Sequence, residues 1–422
     1  MTEVVQTQML RKLSLADVHQ RLGATMIERD GWSVPDSYGD VALEYAAVRE
    51  GGCGISDLSA RGRLLVGGTE AVQFLNGLIT NDMKTLAEHS WMPAAFPNVQ
   101  GRLIASVRVV RLKDEGTGMT TPAGLPRRGP RAKACPAFLI DTEAATHEQV
   151  LKTIERFTLA GDFRVRDVTS ETAMLSVQGS EAAALVQTVL GEAAGALATD
   201  GVTRIAWPPG DKTEENSENS GDGNNSETND GVNGVTAIRA THTAEDGCDL
   251  VVNRAHAASL WDALQAAGAR PVGYAALEIL RIEAGRPRFG VDMDDTNVVT
   301  EVLDDAVSYT KGCYVGQEII ARIKYRGHVA KKLSGVAFEQ TVKVAAGAAI
   351  NSAAGKEVGR ITSVTDSPQL GRTIGLASLK YDYLATGTRL NVVIGDEELP
   401  VQVAELPFVR GSWYKAETPS AD

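Results

Sequence analysis

The sequence predicts an α+β chain: two similar α+β halves followed by a small antiparallel barrel or sandwich. Three observations carry this. The 422 residues leave room for two to three domains with sizeable cores. Strand–helix units with hairpins occur twice in the same order, although the residues of the two runs do not match. Beyond about residue 330 helical periodicity stops, and short apolar runs alternate with Gly, Pro and Asp turns.

The first clear core pattern begins near Val41, where VALEYAAVRE reads as a short helix ended by Gly51 and Gly52. GRLLVGG (62–68) reads as a strand. Thr69 is placed to cap the next helix, TEAVQFLNGLIT, whose Val72, Leu75 and Ile79 share one face. GRLIASVRVVRL (101–112) and PAFLID (136–141) read as the arms of a hairpin, with a helix after them over 146–157. The order then repeats. TAMLSVQG (172–179) is a strand, SEAAALVQTVLG (180–191) a helix capped by Ser180, Asp249–Val252 a strand and 254–268 a helix ending at Gly268. The closing runs KLSGVAFE, EVGRITSVTD, TIGLASLKY, RLNVVIG and LPVQVAEL are short strands.

Two segments break the pattern. Residues 114–135, between the hairpin arms, are rich in Gly, Pro, Arg and Lys. They read as a solvated loop, or as a basic contact site through Arg127, Arg128, Arg131 and Lys133. Residues 211–231 hold no large apolar side chain and cannot bury enough surface to offset their ordering entropy. That run carries seven acids and one base, and so supplies half of the net charge of −12. The total argues against stable nucleic-acid binding, which needs an excess of Lys and Arg. The remainder is only mildly acidic, so the total does not hide a local basic patch. The N-terminal stretch lacks a signal-peptide core, and no run approaches 18 apolar residues, so neither secretion nor a membrane span is expected. Cys53, Cys135, Cys248 and Cys313 are far apart in sequence, which excludes local Cys-pair zinc sites and makes a reducing cytoplasm the expected compartment.

Chemistry concentrates in three segments. In KGCYVGQEIIARIKYRG (311–327), Gly312 and Gly316 bracket Cys313 and Tyr314, and Glu318–Arg326 reads as a helix. A helix N-terminus and the nearby Lys311 both favour a thiolate at Cys313. The alternative is a buried, inert cysteine in a tight turn. Arg239–Asp249 places one cation and three acids around a turn, which suits a polar heterocycle or a plain solvated hairpin. In LRIEAGRPRFGVD (280–292), Arg281 and Glu283 alternate with apolar residues and read as a pair facing a cleft, or as a simple ion pair. The sequence has no phosphate loop, no dinucleotide fingerprint and no HxxxH or HExxH spacing.

Together these segments resemble the folate-binding superfamily of the glycine cleavage T-protein (aminomethyltransferase). Lys311–Glu318 matches the K-G-C-Y-x-G-Q-E pattern of its YgfZ-type branch at every fixed position. GISDLSARGRLLVGG, FLNGLITNDM, LRIEAGRPRFGVD and VGRITSV also read like the superfamily's successive landmarks, so the likeness spans roughly 40–415. The resemblance implies two ferredoxin-like-type α+β halves forming a folate-binding unit, with a C-terminal antiparallel β-barrel, around a central pocket. The corresponding divisions are 40–165, 166–330 and 331–415. It implies tetrahydrofolate or a one-carbon derivative as cofactor. The R-T-G-Y-T-G-E-D-G-Y-E segment falls on Arg239–Asp249, with the folate-contacting carboxylate at Asp249, and the folate-contacting arginine falls on Arg281. A late aromatic contact falls on Trp413, next to Tyr414.

One departure stands out. The family's G-G-x-x-D-D segment, with its catalytic aspartate, falls on Gly101–Ser106, where Ala105 and Ser106 replace both acids. The resemblance to the YgfZ-type branch therefore implies a tetrahydrofolate-binding accessory protein for iron–sulfur cluster assembly or repair, linked through such enzymes to tRNA modification. Cys313, with Lys311, would be its functional group, and its partners would be iron–sulfur enzymes or assembly proteins. The alternative is a folate-dependent aminomethyltransferase.

Overall fold

The computed structural model describes residues 10–112, 136–156, 158, 161–208 and 234–415. Both predicted insertions lie outside these residues, as do Cys135 and the basic cluster Arg127, Arg128, Arg131 and Lys133.

Two sheets form the body, the first wholly antiparallel and the second mixed. The first runs in the spatial order Ser90–Pro97, Leu103–Arg111, Ala137–Thr142, Gly62–Gly67, Arg164–Asp167. The second runs Val202–Ile205, Val235–Arg239, Gly247–Asn253, Thr172–Gln178, Gly54–Asp57, Arg270–Pro271. Each half follows one plan along the chain: strand, helix, three strands, helix, strand. In each sheet the second, third and fourth strands of the half lie side by side, and its first strand follows the fourth. The expected internal repeat is therefore a repeat of topology. The sheets differ by Gly54–Asp57, which precedes the first half in the chain but pairs in the second sheet, antiparallel to Thr172–Gln178 and parallel to Arg270–Pro271.

Side-chain alternation fixes how the layers stack, because successive strand residues face opposite sides. Val107, Val109 and Ile140 turn outward onto the helices Ala71–Leu78 and His147–Glu155. Leu175, Val177 and Leu250 turn outward onto Ala182–Leu190 and Ala257–Ala266. The opposite faces meet at a seam, where Val110 and Leu139 of the first sheet pack with Met174, Ile238 and Val251 of the second. The strands are thus buried on both sides, with helices outermost.

Residues 331–404 close the anticipated barrel, in the order Lys331–Ala337, Arg372–Lys380, Glu357–Ser367, Ala349–Asn351, Arg389–Ile394, Glu397–Ala404. Its neighbours are all antiparallel, around a core that includes Val336, Ile350, Ile361, Leu379 and Val401.

Several local expectations change. Thr69 does not cap Ala71–Leu78: its N–H and hydroxyl both donate to Asp162 Oδ2, at 3.0 and 3.1 Å. Ser180 is not the cap of Ala182–Leu190, whose N-cap residue is Glu181 and makes no side-chain bond. Residues 10–39 are ordered structure, with a three-stranded sheet and the helix Ala16–Arg21, although core patterning was expected only from Val41. Their strand Thr25–Arg29 is an exposed edge, so it carries almost no burial pattern to read. Leu280–Glu283 of LRIEAG close the helix Tyr274–Glu283 and do not form an alternating element, and this matters for the site.

Candidate functional site

A cleft of about 980 Å³, including its open mouth, lies beside the seam. One wall is a single face of the helix Tyr274–Glu283: Tyr274, Leu277, Glu278 and Arg281 recur at three- and four-residue spacing and line it together. Arg286, Pro287 and Arg288 continue that wall. Leu58, Ala60 and Arg61 come from the loop after Gly54–Asp57, and Arg29, Asp30 and Val34 from the N-terminal sheet. Glu143, Ala144, Ser176 and His242 complete the lining from the seam.

Arg281 and Glu283 part company because two positions on a helix are about 200° apart. Arg281 faces the cleft. Its Nη1 donates to Asp292 Oδ2 at 2.6 Å, and its Nη2 to Ser363 Oγ at 2.6 Å and to Glu278. Glu283 is fully buried on the other side, where it accepts from Tyr45, Arg49 and Ser367. The expectation that both face one cleft is corrected accordingly.

A chain of charges runs under the cleft. His242 Nε2 lies 3.0 Å from both oxygens of Asp249. Arg108 bridges Asp249 Oδ2 at 2.7 Å and Asp141 Oδ2 at 2.9 Å. Arg61 then donates to Asp141 through Nε and Nη2, at 2.7 and 3.1 Å. Burial alone would push the Asp249 carboxyl up, but His242, Arg108 and the Ser176 hydroxyl outweigh it and hold the group well below the usual carboxylate range. Asp141 is likewise held low against burial by Arg61 and Arg108. At Glu143 burial prevails over Arg61 and the Phe289 N–H, and its carboxyl is raised.

The sequence-derived candidates separate into three places. Asp249 and Arg281 belong to the cleft, although Asp249 is fully buried and reaches it only through His242 and Ser176. Arg239 pairs with Asp246 and stacks over Trp413 at 5.7 Å, away from the lining residues. Tyr414 packs against Arg410. Neither aromatic lines the cleft.

Lys311 and Cys313 form the third place. Lys311 Nζ donates to the carbonyls of Asn76, Ile79 and Asn81 at 2.7, 2.8 and 2.7 Å. An ammonium has three donors, and all three are taken. Lys311 therefore caps the carbonyl end of Ala71–Leu78 instead of serving the Cys313 thiol. Burial pulls its pKa down to about 8. Cys313 is exposed, which removes the inert buried alternative, whereas Cys53 and Cys248 are buried. Of the two flanking glycines only Gly316 needs special freedom. Its φ is +77°, and a Cβ there would lie 2.4 Å from Asn98 O, while one at Gly312 would meet open space.

Arg61, Arg108 and Asp141 escaped the sequence reading because their contacts are long-range in the chain: Arg108 and Asp141 meet across one ladder of the first sheet, and Arg61 reaches Asp141 from a loop. The readable trace was a charge inside each of two apolar strands, LIASVRVVR and AFLIDT. Among the described residues no group of His, Cys, Asp and Glu is arranged to hold a metal ion, and no helix is long and apolar enough to cross a membrane.

Two α+β halves meet face to face, both contribute residues to the cleft beside their seam, and a closed barrel packs against the cleft helix through Ser363 and Ser367. Comparison with known proteins gives this arrangement a family. Residues 15–128 and 224–311 match the GCVT N-terminal domain, and 331–410 match the glycine cleavage T-protein C-terminal barrel domain. The chain is 30% identical to the aminomethyltransferase of Thermotoga neapolitana, over 96% of this chain and 99% of that one. It is 31% identical to that of Rubrobacter xylanophilus, over 95% of each. The fold matches the glycine cleavage system aminomethyltransferase T of Bartonella henselae with a TM-score of 0.78 at 20% identity, covering 95% of this chain and 98% of that one. The chain belongs to the glycine cleavage T-protein (aminomethyltransferase) family. Residues 312–330, which carry Cys313 and its helix, fall between the two matched stretches.

Proposed function

We propose that this chain binds tetrahydrofolate or a one-carbon derivative in the cleft and carries out aminomethyl transfer there. The observation that supports it is the cleft itself, joined to end-to-end relatives that are named aminomethyltransferases. Leu58, Tyr274, Leu277 and Pro287 offer an apolar wall for a flat ring. The Nε atoms of Arg281 and Arg288 are buried without a partner, and arginines suit carboxylates. Bound tetrahydrofolate would supply the nitrogens that accept the one-carbon unit. Asp249 fixes the His242 ring at the cleft, Arg281 holds polar groups of the ligand, and the seam excludes water from beneath.

Calorimetric titration with tetrahydrofolate tests the reading. Wild-type protein should bind, and Arg281→Ala and Asp249→Asn should each weaken Kd by roughly tenfold or more, since bonds to charged groups are worth about 1.5–3 kcal/mol. A wild-type protein without measurable binding would sink it.

A second reading, of YgfZ type, is favoured by the exposure of Cys313 and by Ala105 and Ser106 at the acid positions. In it the folate-loaded protein serves iron–sulfur enzymes or their assembly proteins through the Cys313 thiol. Cys313→Ala should then fail to restore iron–sulfur enzyme activity in a strain lacking the gene. Restoration equal to wild type rules this reading out.

A further inference from the structure

The ladder between Leu103–Arg111 and Ala137–Thr142 pairs Val107 with Thr142 and Arg108 with Asp141. That is the last pair, at the end of Ala137–Thr142; continuing the register by one residue would place Ser106 across from Glu143. Directly paired residues share a sheet face, with Cβ atoms about 5 Å apart. That face is the seam face, since Arg108 and Asp141 meet on it at 2.9 Å. The neighbouring ladder ends with Gly62 opposite Thr142, and Arg61, just before it, donates to Asp141 and also acts electrostatically on Glu143. Glu143 lines the cleft, and its Oε2 accepts from Phe289 N–H at 3.1 Å.

We propose that Glu143 is the proton-handling carboxyl of the cleft, supplied across the ladder from the strand position that Ser106 occupies. The inference rests on the aminomethyl-transfer reading. The other lining acids are placed differently. Glu278 is gripped by Arg281, with Arg29 and Arg288 each 3.7 Å away, and is held ionised. Asp30 sits at the tip of the N-terminal hairpin, off both body sheets. Glu143, by contrast, has a carboxyl raised by burial, which suits a group that must both take and give a proton.

The transfer balances without an added reactant. A carrier X–CH₂–NH₂ and two N–H groups of the acceptor give X–H, ammonia and one N–CH₂–N bridge. The C–N and C–X bonds break, two C–N bonds form, and the two acceptor protons end on the amine and on X. Glu143 relays the proton that the departing amine needs.

Three measurements on the full chain test this. Glu143→Gln should bind tetrahydrofolate within about threefold of wild type while turnover of an aminomethyl carrier falls roughly 100-fold or more. Adding Ser106→Asp to Glu143→Gln, which returns a carboxyl to the facing position, should recover at least about tenfold of that loss. Carboxyl-carbon NMR of the ligand-free protein should show a resonance, absent from Glu143→Gln, that titrates above the ordinary glutamate value of about 4.3. Glu143→Gln turning over like wild type, a double variant no better than the single one, or no raised resonance overturns the inference. Wild-type protein that binds tetrahydrofolate but transfers nothing overturns the transfer reading and this inference together.

Discussion

Arg49→Ala is expected to destabilise the protein by about 3–5 kcal/mol, the cost of leaving buried charges unpaired. The Arg49 side chain is 3% exposed and bridges two carboxylates, Glu245 Oε1 at 2.7 Å and Glu283 Oε2 at 2.8 Å. Each carboxylate ties down further segments. Glu245 accepts from the backbone N–H and hydroxyl of Ser412, at 2.7 and 2.6 Å. Glu283 accepts from Tyr45 at 2.8 Å and, in the barrel, from Ser367 at 2.5 Å. Arg49 thus joins the helix Val41–Arg49, the 240–247 turn, the cleft helix, the barrel and the C-terminal segment. Arg49→Lys keeps the charge but not the fork, so it should fall between wild type and alanine. Guanidinium unfolding of the three proteins checks the order. A loss below about 1 kcal/mol for alanine, the range of exposed pairs, would contradict the clasp.

The second large effect is acid lability. Asp249 and Asp141 both have folded-state values depressed below their unfolded ones. Such groups contribute stability that is fully present above the unfolded value of about 3.9 and is lost as pH falls through the folded value. Wild-type stability should therefore hold near neutrality and decline from about pH 5 downward. Asp249→Asn leaves Arg108 and His242 without their shared carboxylate, so it should be less stable at pH 7. It should also lose stability less steeply on acidification, because one of the protonating groups is gone. Melting curves at pH 7, 5 and 4 for both proteins measure the two slopes. Parallel slopes would show that Asp249 does not carry the acid response.

The sequence made the architecture readable because the strands and helices announce themselves locally. Val72 and Leu75 pattern one helix, and the paired arms 101–112 and 136–141 surround a segment that no core could use. The barrel was equally plain, since nothing after 330 keeps a helical period. The site was readable only where one element carries it. Arg281 sits in a recognisable run, and the face it shares with Tyr274, Leu277 and Glu278 follows once that run is a helix. Arg61 comes from a loop and Arg108 and Asp141 from paired strands of one sheet, and the partner that completes their chain, Asp249, arrives only across the seam. Lys311 misled for a related reason: nearness in sequence to Cys313 said nothing about the helix end at Asn76 and Ile79, which takes all its donors.

The strand Gly54–Asp57 gives the molecule a property that its two-fold plan conceals. It leaves from ahead of one half and completes the other, so the boundary near residue 165 is a place in the sequence and not a plane of cleavage. A fragment cut there would keep Thr172–Gln178 and Arg270–Pro271 but lose the strand between them, leaving a slot one strand wide lined with unanswered backbone donors and acceptors. The halves repeat as designs and mature as one. The loop that follows this strand carries Leu58, Ala60 and Arg61, so the cleft is finished only when the second sheet has closed around a piece of chain made before the first.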